Sequence, residues 1–374
     1  MIAAREFSGL AEFLQRKADA RGNPLSGTFE LTPICNMNCR MCYIHQSLQE
    51  IHQSDRKLRS VSEWLSLATE IREAGTLFLL LTGGEPFMYE GFRELFGELQ
   101  QMGFILSVNT NGTMIDEKTA DWLAGHSPQR INITLYGASN ETYARLCRSP
   151  DGFSRAKRAI EMLQERGVNV KLNCSVTPEN ACDLEKIVEY SNERKLILQA
   201  TSYMFPPLRR DGNSVGKNER FDPEECARME ARIRFLQRGK EALEKYCNSI
   251  ERVDPIDDDT LFDCEGDPLR CRAGKSSYWI TWDGRMLLCG MMDKPYREPF
   301  KYGFSNAWDM LKKDGSMIRL PSECAACDAK DVCRSCAAMV YTETGTYSKR
   351  PQYRCELLKA IPKACHQLLE EEPS

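Results

Sequence analysis

Apolar and polar positions between residues 28 and 202 follow two alternating patterns. Short runs rich in β-forming residues alternate with longer runs whose apolar residues recur at helical spacing. The first pattern indicates strands and the second indicates amphipathic helices. The predicted strands cover residues 28–31, 77–81, 105–109, 131–135, 168–174 and 196–201. The predicted helices between them cover residues 61–74, 92–102, 117–124, 153–166 and 183–194.

Strands that alternate with helices predict a parallel sheet with right-handed crossovers. Six strands between residues 28 and 202 are too few for the eightfold barrel. We therefore expect the α/β class, with a partial (β/α)6 TIM-like barrel.

Three further segments flank this barrel. Residues 1–27 predict a short amphipathic helix and a Gly/Pro/Ser connector. Residues 203–263 break the alternation, and we expect a bridging helical insertion with one long helix near residues 223–247. Residues 264–374 contain nine of the seventeen cysteines, so we expect a separate cysteine-rich domain there.

Composition narrows the choice of function. The chain has 374 residues and a net charge of −4. It lacks the excess of basic residues that is typical of proteins that bind nucleic acids. Its apolar runs are too short for a membrane span or a signal peptide, so we expect a cytoplasmic location. Cytosolic proteins rarely keep disulfides, and clustered cysteines there indicate metal. The four histidines disfavour a site built on several imidazoles.

The first cysteine cluster follows the first predicted strand. Cys35, Cys39 and Cys42 have the spacing C-x3-C-x2-C and are followed by Tyr43. Three thiolates on one loop can hold three corners of a cubane iron–sulfur cluster, which normally has four Cys ligands. The missing fourth ligand leaves one iron open, as a catalytic metal site does. A zinc loop, or three incidental thiols, is the alternative.

With this spacing and the aromatic residue after its last cysteine, the chain resembles the radical S-adenosylmethionine superfamily. The resemblance implies a 4Fe–4S cluster on the three cysteines, with S-adenosylmethionine (AdoMet) chelated by the open iron. It further implies that reductive cleavage of AdoMet yields methionine and a 5′-deoxyadenosyl radical, which abstracts a substrate hydrogen.

A second motif follows the second predicted strand. Gly83, Gly84, Glu85 and Pro86 form a turn in which glycines permit close backbone approach and the carboxylate can accept from an ammonium group. Alone, this is a common strand-to-helix turn. After the cysteine loop, it resembles the family's Gly-Gly-Glu-Pro motif, which holds the methionyl amine.

Weaker candidates for AdoMet binding end the third and fourth predicted strands. They are Asn109, Asn111 and Thr134, at the carboxyl ends where barrel active sites form. The alternative for each is a satisfied turn residue.

The carboxyl-terminal cysteines form a second array. Eight of them can fill two four-thiolate zinc sites or two iron–sulfur clusters, and the segment from Cys324 to Cys336 alone is typical of a zinc ribbon. The array resembles the SPASM extension of radical S-adenosylmethionine enzymes, which carries two auxiliary 4Fe–4S clusters. The first set that the resemblance implies is Cys264, Cys271, Cys289 and Cys336. The second is Cys324, Cys327, Cys333 and Cys355.

One spacing departs from the SPASM pattern. Two residues separate Cys333 from Cys336, whereas the usual number is three. Cys336 is the assignment that this departure affects most. The remaining cysteines are predicted to be core or surface thiols. They are Cys147, Cys174, Cys182, Cys226, Cys247 and Cys365.

SPASM proteins mostly act on peptides, so the resemblance implies oxidative modification of a peptide or protein, such as a thioether or carbon–carbon crosslink. An external electron donor such as flavodoxin or ferredoxin is implied too. An anaerobic sulfatase-maturing enzyme, a small-molecule radical dehydrogenase and a noncatalytic metal-binding scaffold are the alternatives. Gly290, directly after Cys289, counts against the first of these, because that family commonly has an Asp soon after this cysteine.

Overall fold

The computed structural model describes residues 4–253 and 265–372. These residues form one sheet of nine strands in the order β6-β5-β4-β3-β2-β1-β7-β8-β9. Strands β1 to β6 are parallel, and each pairs with the next along the chain. The strands are β1 Ser26–Glu30, β2 Phe78–Thr82, β3 Ile105–Thr110, β4 Arg130–Thr134, β5 Val170–Ser175, β6 Ile197–Thr201, β7 Ser277–Ile280, β8 Met286–Leu287 and β9 Tyr296–Arg297.

Helices cover one face of this sheet and extend into the carboxyl-terminal part. Two short 3-10 turns, Pro86–Met88 and Ala181–Asp183, accompany them. The helices are α1 Ala4–Arg21, α2 Leu48–His52, α3 Val61–Glu73, α4 Phe92–Gln101, α5 Glu117–His126, α6 Asn140–Cys147, α7 Gly152–Glu165, α8 Leu184–Glu193, α9 Pro223–Arg238, α10 Lys240–Glu251, α11 Pro299–Tyr302, α12 Phe304–Met317, α13 Ser322–Ala326, α14 Lys330–Cys333, α15 Ala337–Thr344 and α16 Gln352–Glu371.

The predicted partial barrel is confirmed. All six predicted strands are present, and their ends lie within two residues of the predicted ones. Local chemistry explains where the helices begin. For example, Ser60 caps α3 through a capping box with Glu63, and Trp64, Leu67 and Ile71 of that helix are buried.

Alternation along the strands separates a core face from a lumen face. On β3, Leu106 and Val108 point into the apolar core under the helices. Ser107 and Asn109 therefore point to the opposite side, which we call the barrel lumen. The strands pair in parallel register, so core-facing residues lie beside core-facing residues on the next strand. The lumen is therefore lined by every second residue of each strand.

The bridging insertion differs from its prediction. Two helices, α9 and α10, replace the single helix expected near residues 223–247. Gly239 ends α9 with a φ of +80°, a conformation that few other residues adopt without strain, and the chain then starts α10 in a new direction. Both helices pack against α16.

The cysteine-rich part continues the sheet of the barrel. Strand β7 pairs with β1 in parallel, with Thr28 opposite Trp279, and β8 and β9 extend the sheet in antiparallel fashion. The domain boundaries at residues 27, 202 and 263 remain predictions. Among the described residues, no helix combines the length and apolar character that a membrane crossing requires.

Candidate active site

Three thiols lie together beyond the carboxyl end of β1. Backbone N–H groups donate to the sulfurs of Cys35 and Cys42 at 3.4 and 3.3 Å. Burial, with smaller contributions from Glu85 and the neighbouring thiols, raises the pKa of Cys35 to about 12. Thiols that oppose one another's ionisation become thiolates when a cation binds them, so this donor set fits an iron–sulfur cluster.

The Gly-Gly loop after β2 packs directly on the cysteine loop. The N–H of Gly84 donates to Thr32 O at 2.6 Å, and that of Glu85 donates to Ile34 O at 2.9 Å. A Cβ on Gly83 would lie 2.5 Å from Thr32 O, and one on Gly84 would lie 2.4 Å from Ile34 O. The glycines thus allow the two loops to meet, whereas sequence reasoning invoked close approach to a ligand.

Glu85 is fully buried at this junction. Its carboxylate accepts from Thr110 Oγ1 at 2.7 Å, from the Asn111 N–H at 2.9 Å and from the Phe87 N–H at 3.2 Å. Burial outweighs these hydrogen bonds and raises its pKa to about 7. The group therefore gains a negative charge near neutral pH, and a cationic partner would stabilise that charge.

The other predicted AdoMet contacts separate into two places. Asn111, which directly follows β3, packs against the cysteine loop. Its amide donates to Asn36 Oδ1 at 2.9 Å and to Cys35 Sγ at 3.6 Å. Asn109 and Thr134 lie on β3 and β4, and Asn109 accepts from Asn132 at 2.8 Å in the lumen. Pro86 begins the turn after Glu85.

Tyr43 lies in a buried polar network that sequence reasoning missed. The guanidinium of Arg209 is 5.8 Å from its ring centroid and pairs with Glu30 at 2.6 Å. Trp279 also donates to Glu30, at 3.0 Å, and Arg209 donates to Gly290 O at 2.9 Å. The network therefore links the residue after Cys42 to the residue after Cys289.

Three cysteines of the first predicted auxiliary set lie together. The pKa of the Cys289 thiol is raised to about 11, mainly by burial and further by the nearby thiols of Cys336 and Cys271. Burial raises the pKa of Cys336, and the nearby thiol of Cys271 raises it further. Cys264, the fourth member, lies outside the described residues.

All four cysteines of the second predicted set line one cavity. Burial first, then the thiols of Cys355, Cys333 and Cys327, raises the pKa of Cys324 to about 12. Arg334 follows Cys333 with a φ of +51°, so the chain turns sharply before it reaches Cys336. This turn sends Cys333 and Cys336 to different groups despite the short spacing between them.

Cys147 is a fourth thiol beside the first cluster. It is fully buried, and its contact with the Cys39 thiol is the main cause of a raised Cys39 pKa. Backbone bonds from Asn38 to Cys147 and from Arg40 to Leu146 bring the cysteine loop onto the end of α6. No sequence pattern signals this contact, because Cys147 lies more than 100 residues from the cysteine motif.

Two lumen cations on β4 and β5 were also missed. Lys171 donates to Gln199, and burial, together with the charge of Arg130, lowers the Lys171 pKa. The buried Nε of Arg130 has no hydrogen-bond partner among the described residues. Among the residues that the structure describes, no carboxylate forms an ion pair with Arg130 or Lys171. The lumen thus carries positive charge that a substrate can neutralise.

The fold and the grouped thiols together define a class of iron–sulfur enzymes built on a partial barrel. Residues 29–191 match the model of the Radical SAM superfamily. This part of the chain carries a Radical SAM domain, and the protein is an enzyme. A domain of this family implies a 4Fe–4S cluster and AdoMet.

Several curated proteins are similar to this chain, among them two that match most of its length. The AdoMet-dependent heme synthase of Methanosarcina barkeri (strain Fusaro / DSM 804) is 23% identical over 346 residues, which cover 87% of this chain and 94% of that protein. The sporulation killing factor maturation protein SkfB of Bacillus subtilis (strain 168) is 24% identical over 279 residues. The match covers 73% of this chain and 62% of SkfB.

A solved structure shares the fold. Streptococcus suis SuiB bound to precursor peptide SuiA superposes with a TM-score of 0.66 and 16% identity. The match covers 90% of this chain and 79% of SuiB. At this identity, the likeness shows the fold alone.

Proposed function

We propose that this protein cleaves AdoMet reductively at the loop of Cys35, Cys39 and Cys42 and uses the radical to modify a peptide oxidatively. The observation that carries this proposal is the meeting of the three thiols with the buried carboxylate of Glu85. One loop offers soft ligands for three irons, and the next offers an acceptor for an ammonium group.

Each residue has a role in this proposal. The three thiolates hold a 4Fe–4S cluster, which when bound and reduced supplies the electron that breaks the carbon–sulfur bond of AdoMet. Glu85 accepts from the methionyl ammonium group. Asn109, Asn111 and Thr134 donate to or accept from the ribose, and Tyr43 contacts the cofactor.

The two carboxyl-terminal cysteine groups are proposed to hold auxiliary 4Fe–4S clusters. Cys264 would complete the group of Cys271, Cys289 and Cys336. Four thiolates leave no open iron, so these centres would carry the electron that an oxidised substrate releases. The Glu30–Arg209 network, which contacts both Tyr43 and Gly290, supports an arrangement in which the first auxiliary site lies beside the AdoMet site. An external carrier such as flavodoxin or ferredoxin would exchange electrons with the enzyme.

A peptide is the proposed substrate. SuiB binds a precursor peptide and SkfB is named a maturation protein, and both resemble this chain over most of its length. A lumen lined by polar residues such as Asn132 and Asn173 offers partners for peptide groups. Water would be excluded from the radical when the peptide fills the lumen.

AdoMet cleavage is the direct test. Anaerobically reconstituted protein should bind about twelve irons, at four per cluster, and should form 5′-deoxyadenosine when reduced with dithionite. A peptide encoded by a short reading frame beside this gene should then change mass. Iron-loaded protein that forms no 5′-deoxyadenosine would contradict the proposal.

A tetrapyrrole is the second candidate substrate. One relative, of which this chain covers 94%, is a heme synthase of Methanosarcina barkeri, and Fe-coproporphyrin III synthase of the same organism is 27% identical over 168 residues. Arg130 and Lys171 favour this candidate, because coproporphyrin carries propionate groups that would neutralise them. Incubation with Fe-coproporphyrin III, followed by mass spectrometry, separates the two candidates.

A further inference from the structure

Two helices outside the active site bring metal-binding side chains together. Cys247 and Glu251 lie four residues apart on α10, so they share one helix face, and His366 faces them from α16. The sulfur of Cys247 is 3.7 Å from Nε2 of His366, which is 2.6 Å from Oε1 of Glu251. All three ligand atoms lie within 4.8 Å of one another.

A second thiol adjoins this group. Cys365 precedes His366 on α16, is fully buried, and its thiol contacts that of Cys247. Cys247 is itself buried, and its thiol also donates to the carbonyl of Pro362 at 3.8 Å. Two buried thiols thus lie beneath a half-exposed imidazole and carboxylate.

The donor set fits one metal better than the others. Thiolate and imidazole ligands select zinc, which takes four of them in a tetrahedron with Zn–S of about 2.3 Å and Zn–N of about 2.0 Å. A sulfur and a nitrogen bound to one such ion are about 3.5 Å apart. The separation between Cys247 and His366 is close to this value before any adjustment.

We propose that Cys247, Glu251 and His366 hold a structural zinc ion, and that the thiol of Cys365, which contacts Cys247, shifts to supply the fourth ligand. Its position indicates its purpose. Glu251 is the last residue of α10, and α16 also carries Cys355 of the second cysteine group. Zinc would therefore fix the end of the bridging helices against the helix that supplies a proposed cluster ligand. The proposal is independent of the substrate and of AdoMet cleavage.

Zinc uptake by the cluster-loaded protein tests the site. Holoprotein is mixed with one equivalent of Zn²⁺, passed through a desalting column with a weak chelator, and analysed for zinc and iron. We expect one zinc per chain with unchanged iron. Zinc absorption spectra should show sulfur at about 2.3 Å together with nitrogen or oxygen at about 2.0 Å.

Matched variants make the test specific. His366→Ala removes an exposed ligand and leaves the buried thiols in place, so the variant should fold and keep its iron. It should bind zinc at least about tenfold more weakly than the wild-type protein. His52→Ala removes an exposed histidine of α2 and should retain all the zinc. Cys247→Ser should resemble His366→Ala. Wild-type holoprotein without zinc, equal zinc in His366→Ala, or a zinc shell of four sulfurs would each overturn the proposal.

Discussion

The pKa of Glu85 depends on burial and on the hydrogen-bond donors around its carboxyl group. The carboxyl group is buried, yet it meets three donors, and burial still dominates its pKa. In the unfolded chain the group ionises near its ordinary pKa of 4.5, so the cofactor-free fold loses stability as pH rises from there through about 7. A bound ammonium group would reverse this cost.

AdoMet affinity should therefore depend on pH. Because the ionised fraction of Glu85 grows as pH rises through about 7, the Kd for AdoMet should be about tenfold lower at pH 8 than at pH 6. Glu85→Gln should bind AdoMet weakly and with no such pH dependence. Equilibrium dialysis with cluster-loaded protein measures both, and an equal pH dependence in the variant would exclude Glu85 as the titrating group.

Cys39 gives a second test at this scale. Cys39→Ala should abolish 5′-deoxyadenosine formation by reduced, reconstituted protein, because two thiolates cannot retain the open-site cluster. Cys182→Ala is the control, since Cys182 is exposed and belongs to no predicted set. Undiminished product from Cys39→Ala would refute the assignment.

Among the elements, prediction succeeded where one local pattern decides the structure. The six barrel strands are short β-rich runs, and their neighbours in sequence are also their neighbours in the sheet. The break at Gly239 was missed, because an isolated glycine in a helical run is tolerated and does not by itself mark the end of a helix. The loop contact at Gly84 was not predictable either, because it depends on where Ile34 lies in space.

Gly84→Ala should test that contact. The added methyl group would meet Ile34 O at 2.4 Å, so the loops must separate, and we expect a loss of about 1–3 kcal/mol in unfolding free energy with lower iron content. Gly97→Ala is the matched control. Nothing lies within 4 Å of that Cβ in the middle of α4, so it should stabilise the protein by about 0.5–1 kcal/mol. Urea denaturation distinguishes the two, and equal stability would show that the loops can adjust.

At the scale of the whole molecule, long-range pairs hold the predicted parts in place. Glu30 and Arg209 are 179 residues apart, and their side chains are 0% and 3% exposed. No sequence pattern relates them, since each is an ordinary charged residue until the fold buries it. The grouping of the auxiliary cysteines, by contrast, was available from a family resemblance rather than from physical reasoning.

Glu30→Gln should destabilise the protein by about 3–5 kcal/mol, because Arg209 would keep a buried charge without its counter-ion. The double variant Glu30→Gln/Arg209→Met removes both charges and should recover part of this loss. Urea midpoints of the two proteins make the comparison. A double variant less stable than the single one would argue against an uncompensated charge as the cause.

Cys327→Ala should separate AdoMet cleavage from substrate oxidation. The variant leaves the first cysteine loop intact, so 5′-deoxyadenosine should still form, whereas modified substrate should fall to background. Both are measured by mass spectrometry. Full turnover in the variant would remove the second auxiliary group from the mechanism.

The pairing of β7 with β1 has a consequence for the nascent chain. One edge of β1 pairs with β2 early in synthesis, but its other partner begins at Ser277. Until the ribosome has added that segment, the main-chain groups on this side of the first strand lack a sheet partner and offer a template for foreign strands. Translation of the latter half of the gene therefore ends the interval in which the young polypeptide is most exposed to self-association.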